Sequence, residues 1–160
     1  MKKIVLTRID DRLIHGQVVT SWIKQTGGNK IFIIDEALTK DVFMQKIFKA
    51  AAPSDVEVEV LTVGQAADQL AGVPGDNEKV IILVKTPQVL EELSERGITL
   101  ERIILGGIGA KEGRKKFNRN VSASPEEIDS MARMIRKGIE IYFQLVPTES
   151  AVDVRKLLQL

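Results

Sequence analysis

Arg8-Ile-Asp-Asp-Arg-Leu-Ile-His15 packs two arginines, two aspartates and the chain's single histidine into eight residues, and Gly16-Gln17 follow directly. A neutral imidazole is a good nucleophile toward phosphorus, and guanidinium groups match the geometry of phosphate oxygens. Arg8 and Arg12 would disfavour the imidazolium and also stabilise an incoming phosphoryl dianion. Asp10 or Asp11 would shape the loop or orient the ring through a hydrogen bond. A helix starting near His15–Gln17 would turn its free N–H groups toward the phosphate, and Gly16 would let the group come close. The same residues also fit a plain salt-bridged surface loop, with Arg8 and Arg12 serving only Asp10 and Asp11.

Further along, Gly106-Gly-Ile-Gly-Ala-Lys-Glu-Gly-Arg-Lys-Lys-Phe-Asn-Arg119 is glycine-rich and basic. It could wrap the same crevice through Gly107, or face an acidic partner with Lys111, Arg114, Lys115, Lys116 and Arg119. It reads equally well as a solvated, mobile loop. It is not a phosphate-binding Walker loop, because no Gly-Lys-Ser/Thr follows, and its glycine spacing is wrong for a dinucleotide fingerprint. Lys85 and Thr86 form a lesser candidate phosphate contact, since Thr86-Pro87 is also a good helix start. Trp22 falls in an apolar helical pattern with Val18, Val19 and Ile23, which predicts packing. Phe43, Met44, Ile47 and Phe48 read as the buried stripe of the second helix.

These side chains need a scaffold, and the apolar pattern supplies one. Short β-branched runs at Lys3–Thr7, Lys30–Asp35, Val56–Val60, Val80–Lys85, Arg102–Gly106 and Glu140–Leu145 alternate with segments of helical period. Several are nearly continuous in Ile, Val and Leu, as in parallel strands covered on both faces. Thr62–Gln65 and Ser124–Glu127 have capping-box spacing, and Pro125 suits a first helical position. Thr86-Pro87 and Thr148 mark further helix entries, while Gly72, Gly97 and Gly138 fall where helices should stop. The pattern predicts an α/β fold: a doubly wound, predominantly parallel sheet with helices on both faces and the active loop after strand 1. Residues 1–160 read as one domain, and Ala71–Lys79 is too short for a linker. In such sheets ligands bind beyond the carboxyl ends of the strands, at the point where the winding reverses. Arg8–His15, Lys85-Thr86 and Gly106–Gly109 would converge there.

Composition narrows the chemistry. There is no cysteine, so thiolate chemistry and disulfides are out, and a zinc site would need carboxylates for nearly all its ligands. The expectation is no metal and no cofactor. Lysine plus arginine (23) nearly cancels aspartate plus glutamate (22), which argues against a nucleic-acid binder. The amino terminus lacks a signal-peptide pattern, and no apolar run approaches the ~20 residues a membrane span needs. A cytoplasmic protein is expected, with peripheral docking on a membrane protein left open. Asp10-Asp11 after the first strand also suits an aspartate-phosphorylated receiver domain. Such a domain needs an acceptor aspartate at the end of strand 3, and Val56-Glu-Val-Glu-Val-Leu-Thr62 has none there.

The stretch Arg8-Ile-Asp-Asp-Arg-Leu-Ile-His-Gly-Gln-Val18 closely resembles the IIB component of the mannose/fructose/sorbose family of the bacterial phosphoenolpyruvate-dependent sugar phosphotransferase system. Trp22, Ala52-Pro53, Gly106-Gly-Ile-Gly109, Gly113-Arg114, Asn120-Val-Ser122 and Val146-Pro147 extend the likeness through most of the chain. The resemblance implies a protein-histidine–sugar phosphotransferase in which His15 is the phosphohistidine, modified at Nδ1. It would receive phosphate from a IIA protein and pass it to a sugar entering through the IIC and IID membrane components. Arg8 and Arg12 would hold the phosphoryl group, with Asp10 beside the histidine; Gly16, Gln17, Lys85, Thr86, Gly107 and Arg114 are the expected phosphate or partner contacts. A non-catalytic regulatory or anion-binding relative with the same loop is the alternative. The sugar's identity is not written in the chain, and both a monomer and a homo-oligomer stay open.

Overall fold

A computed structural model describes residues 1–160. Its central sheet contains β1 (Ile4–Asp10), β2 (Lys30–Ile34), β3 (Glu57–Leu61), β4 (Val80–Val84), β5 (Arg102–Gly107), β8 (Glu140–Phe143) and β9 (Val152–Asp153). The order is β3-β2-β4-β1-β5-β8-β9; every pairing is parallel except β8 with β9. The expected doubly wound, mostly parallel sheet is what the chain forms. The connecting helices are α1 (Gly16–Thr26), α2 (Val42–Ala51), α3 (Val63–Leu70), α4 (Pro87–Glu95), α5 (Pro125–Arg136) and the short α6 (Val154–Leu157), with a 3-10 turn at Ala37–Lys40.

Burial on both faces explains the continuous Ile/Val/Leu runs. In β4, Val80, Ile82 and Val84 pack under α3, α4 and α5, while Ile81 and Leu83 face α1 and α2. All five are essentially inaccessible, and each such side chain contributes about 1.5–3 kcal/mol. Both predicted capping boxes form: Thr62 with Gln65 at the start of α3, and Ser124 with Glu127 at the start of α5. Glu91 on α4 clasps α5 through Ser130 Oγ (2.9 Å) and the Arg133 guanidinium (2.6 and 2.8 Å).

Three expectations are corrected. Thr148 starts no helix; α6 begins at Val154, where the Asp153 carboxylate accepts the Arg155 N–H (2.9 Å). The basic glycine-rich stretch is no open loop along its length, because β6 (Lys115–Asn118) and β7 (Val121–Ala123) pair as an antiparallel hairpin. This hairpin docks on the end of β5, where Ile108 N–H donates to Asn120 O and Ser122 N–H donates to Ile108 O. In α2 only Phe48 of the expected stripe is buried. Met44 is half-buried, and Phe43 (71%) and Ile47 (42%) are exposed. The helix lies with its Phe48 side down on the sheet, which turns Phe43 outward.

The winding places β1 between β4 and β5. The first crossover carries the chain to one side, over β4 to β2, and the crossover after β4 carries it to the other. Ile9 sits opposite Val84 and Leu105, and Asp10 is opposite Gly107. The segments leaving the carboxyl ends of three adjacent strands therefore share one edge.

Candidate functional site: a histidine–aspartate–arginine loop

β1 runs three residues further than the sequence suggested, so Arg8, Ile9 and Asp10 belong to the strand and only Asp11–His15 form the loop. The chain turns sharply, with Leu13 N–H donating to Asp10 O (2.9 Å) and Arg12 N–H donating to Asp10 Oδ1 (3.1 Å). Leu13 adopts φ +58°, a left-handed conformation that costs an L-residue about 1–2 kcal/mol. Burying Leu13 and Ile14 in the core under α1 offsets that cost, at about 1.5–3 kcal/mol each. The two apolar side chains thus pin the loop downward, and His15 emerges at the start of α1 with its side chain 23% exposed.

Asp10 is the hub. Its carboxylate, only 1% exposed, accepts from His15 Nε2 (3.1 Å), Arg12 N–H, Arg12 Nε (3.3 Å) and Nη2 (3.4 Å), and Arg8 Nη2 (3.4 Å). Burial alone would raise its pKa, but the bonds from the Arg12 amide, His15 and the Arg12 side chain outweigh burial and hold it below the ordinary aspartate value. An ionised carboxylate only accepts, so His15 Nε2 carries the proton in this bond. In the neutral imidazole this leaves Nδ1 with its lone pair free.

Arg8, expected to hold the phosphoryl group, faces inward and is 2% exposed. Its guanidinium donates to Gln144 O (2.9 Å), Leu145 O (3.1 Å) and Asp10, and lies over the Trp22 ring at 5.3 Å. With every face occupied, it supports Asp10 and has no surface left for phosphate. Desolvation pulls its pKa down and the adjacent Asp10 pushes it back up. Arg114 is likewise committed: it pairs with Glu127 through two bonds (3.0 and 2.8 Å) and donates to Gly109 O (3.1 Å), which ties the glycine-rich turn to α5. Its expected role as a free phosphate or partner contact does not fit this geometry.

Arg12 differs from both, with a side chain 52% exposed. It borders a cleft of about 300 Å³ between the loop and the β6–β7 hairpin, lined also by Asp11, Gly107, Gly109 and Lys116. Asp11 closes its base by accepting the Gly109 N–H (2.7 Å). Gly107 lies directly beneath, where a Cβ would stand 3.4 Å from Arg12 Nη2 and 3.5 Å from Asp10 Oδ1. Gly16 and Gln17 are exposed at the opening of α1, whose first N–H groups receive no side-chain cap. Lys85 lies at the same edge, 3.7 Å from Asp35, and Thr86 occupies the N-cap position of α4 without a capping side-chain bond. No group of three His, Cys, Asp or Glu side chains converges to hold a metal. A larger hollow, about 560 Å³, lies at the opposite edge around Met1–Thr7 and Thr99–Arg102, away from the imidazole.

The structure gives specific roles to two residues for which the sequence suggested none. Gly106 is required by space: a Cβ there would overlap the Arg8 guanidinium and stand 2.9 Å from its Nε. Glu149 holds the segment that receives Arg8, accepting from Leu145 N–H (3.1 Å) and pairing with Arg119 (2.7 Å). The glycine doublet at a strand end was the available signal for the first. Backbone carbonyls such as Leu145 O leave no signal at all.

Comparison with known proteins matches this architecture throughout. The family model of the phosphotransferase system sorbose subfamily IIB component covers residues 4–160. The chain is 31% identical over 151 residues to the sorbose-specific EIIB component of Lacticaseibacillus casei, spanning 94% of this chain and 92% of that one. It is 31% identical over 158 residues to the N-acetylgalactosamine-specific enzyme IIB component 2 of Escherichia coli K12, spanning 99% and 100%. The crystal structure of the IIBSor domain of the sorbose permease from Klebsiella pneumoniae superposes with a TM-score of 0.93 at 26% identity, covering 98% of this chain and 96% of that one. A family model matching residues 4–160, with relatives matched over nearly their whole length, establishes that this protein belongs to the sorbose-subfamily IIB components of the sugar phosphotransferase system.

Proposed function

We propose that His15 is the phosphoryl carrier of this IIB component. Nδ1 attacks the phosphorus of a IIA phosphohistidine; the new N–P bond forms as the donor's N–P bond breaks, and the donor imidazole leaves. In the second step a sugar hydroxyl, presented by the IIC and IID membrane components, attacks the same phosphorus. The P–O bond forms, the bond to His15 Nδ1 breaks, and the hydroxyl proton passes to water. The observation that carries this reading is the His15 Nε2–Asp10 bond, which leaves Nδ1 as the free nucleophile. Asp10 remains ionised and stabilises the positive charge that grows on the ring as Nδ1 bonds phosphorus. Arg8 keeps Asp10 in place from below as a positioning residue. Arg12 faces outward, and its guanidinium is the side chain best placed to contact phosphoryl oxygens, above Gly107 and beside the open start of α1 at Gly16 and Gln17. Lys85 and Thr86 border the same edge and add positive charge and a hydroxyl.

The 160 residues would work as one IIB unit in the cytoplasm, docking peripherally on the transporter. No helix is long and apolar enough to cross a membrane. The test is phosphorylation by the general phosphotransferase proteins and a IIA protein, read by intact mass. One acid-labile, base-stable phosphate is expected, and none in His15→Ala. A histidine-linked phosphate that survives the substitution is impossible in a one-histidine chain, so persistent labelling would assign the chemistry elsewhere. No covalent label in the unaltered protein would favour a non-catalytic anion-binding relative.

A further inference from the structure

Glu149, on the turn after β8, is a half-buried carboxylate to which the two transfer steps give no part. Its side chain is 23% exposed, and its turn is closed by bonds of its own. Glu149 N–H donates to Val146 O (3.2 Å), and the Gln144 side-chain amide donates to Glu149 O (2.9 Å) and Pro147 O (3.3 Å).

One peptide group joins this carboxylate to the reacting loop. The peptide between Gln144 and Leu145 presents its carbonyl oxygen to Arg8 Nη1 (2.9 Å) and its N–H to Glu149 Oε1 (3.1 Å). The C=O and N–H of a trans peptide point in opposite directions, so guanidinium and carboxylate lie at the two poles of its dipole. A cation at the oxygen and an anion at the N–H each polarise the group, which strengthens the other bond. The next carbonyl, Leu145 O, gives Arg8 a second acceptor at 3.1 Å. Beyond Arg8 the contacts continue to Asp10 Oδ2 (3.4 Å) and from there to His15 Nε2 (3.1 Å). Charges alternate along the path, because Arg119 Nη2 closes on Glu149 Oε1 at 2.7 Å. The Leu145 N–H, then Arg119 and Arg8, hold Glu149 below the ordinary glutamate value. Burial works against the charge on Arg8, and Asp10 and Glu149 both support it.

Asp10 keeps its place only while Arg8 keeps its own. The Asp10 carboxylate is shielded from solvent, so a guanidinium drawn aside would re-aim the oxygen that meets His15 Nε2–H. Which ring nitrogen carries the proton is set by the bond the ring makes, and here that bond is to Asp10. We infer that Glu149 is a positioning residue for His15: acting through the Gln144–Leu145 peptide and Arg8, it keeps the proton on Nε2 and leaves Nδ1 open to phosphorus. Its effect on rate rests on the phosphocarrier reading; its effect on the ring does not.

The experiment reads the ring and the rate separately. Isotope-labelled histidine gives a single imidazole signal set in this chain, and its long-range proton–nitrogen couplings report the tautomer at about pH 9, where an imidazole is neutral. The rate is that of His15 phosphorylation by phosphoramidate, whose N–P bond breaks as the bond to Nδ1 forms and ammonia leaves. Glu149→Ala should turn a ring held in the Nε2–H form into a mixture and slow phosphorylation by about tenfold. Glu149→Gln keeps an oxygen for the Leu145 N–H, so it should restore the tautomer and bring the rate within about threefold of the unaltered protein. Glu149→Asp keeps the charge but withdraws it by one methylene. It should show both changes in smaller measure, and it decides the matter if the Ala variant does not fold. A lowered melt with tautomer and rate intact would make Glu149 a cap for its turn and overturn the inference. So would a loss that Glu149→Ala repeats in full on an Arg8→Met background, where a residue acting through Arg8 has nothing left to act on. If the unaltered protein takes no phosphate from phosphoramidate or a IIA protein, the phosphocarrier reading falls, and the tautomer in Glu149→Ala still decides the role of Glu149.

Discussion

Gly106→Ala should cost far more than its single added methyl suggests. The backbone there is not left-handed, so a Gly-to-Ala change would by itself raise stability by about 0.4–1 kcal/mol. The obstacle is space. The new Cβ overlaps the Arg8 guanidinium, which is sandwiched between β5 and Trp22 and has nowhere to retreat. Expelling it removes the bonds to Gln144 O and Leu145 O and strips Asp10 of its buried counter-ion. Breaking a buried pair costs about 3–5 kcal/mol, which outweighs the backbone gain several-fold. For a chain of this length that is a fall in Tm of about 6–20 °C. Urea unfolding and thermal melts, compared with the Arg8→Met background, isolate the cause. Once the guanidinium is gone, the extra cost of Gly106→Ala should drop below about 1 kcal/mol. A loss within 1 kcal/mol in the unaltered background, or equal losses in both, would refute the close-approach argument.

Asp10→Asn should destabilise the protein at pH 7, since Arg8 loses its buried partner, and the gap from the unaltered protein should close in acid. Asp10 has a depressed pKa when folded, so its contribution is complete above the ordinary aspartate value near 3.9 and vanishes as pH falls through the lower folded value. Urea midpoints from pH 7 to pH 2 test this, and a gap that stays constant would remove Asp10 from the account. Arg12→Ala should slow phosphorylation of His15 while leaving the melt within a few degrees, with Arg12→Lys intermediate. An unchanged rate with lowered stability would make Arg12 a structural residue only.

The sheet, its helix caps and the reacting loop were legible because each rests on local chemistry. Ile81 and Leu83 declare a two-faced strand, and Thr62–Gln65 declares a cap. Other features depend on partners distant in sequence. Whether Arg8 points at phosphate or into the core is decided by the carbonyls of Gln144 and Leu145, more than 130 residues away, and those atoms exist in every residue type. Arg114 pairs with Glu127 only because the β6–β7 hairpin folds back onto α5. Phe43 failed for a different reason. An apolar stripe four residues wide cannot all face the sheet, and periodicity does not say which edge of it stays outside.

One indole in the whole chain happens to sit against the machinery. Trp22 Nε1–H donates to Leu145 O (3.0 Å), the same carbonyl that accepts from Arg8, and its ring lies against that guanidinium. The chain's single tyrosine, Tyr142, lies on β8 and stacks with Arg102. Light absorbed at the red edge of the ultraviolet band is therefore emitted from a single place, with only Arg8 between it and the Asp10 carboxylate. The protein carries a built-in optical reporter of its reacting loop, and events at His15 can be followed without attaching a dye.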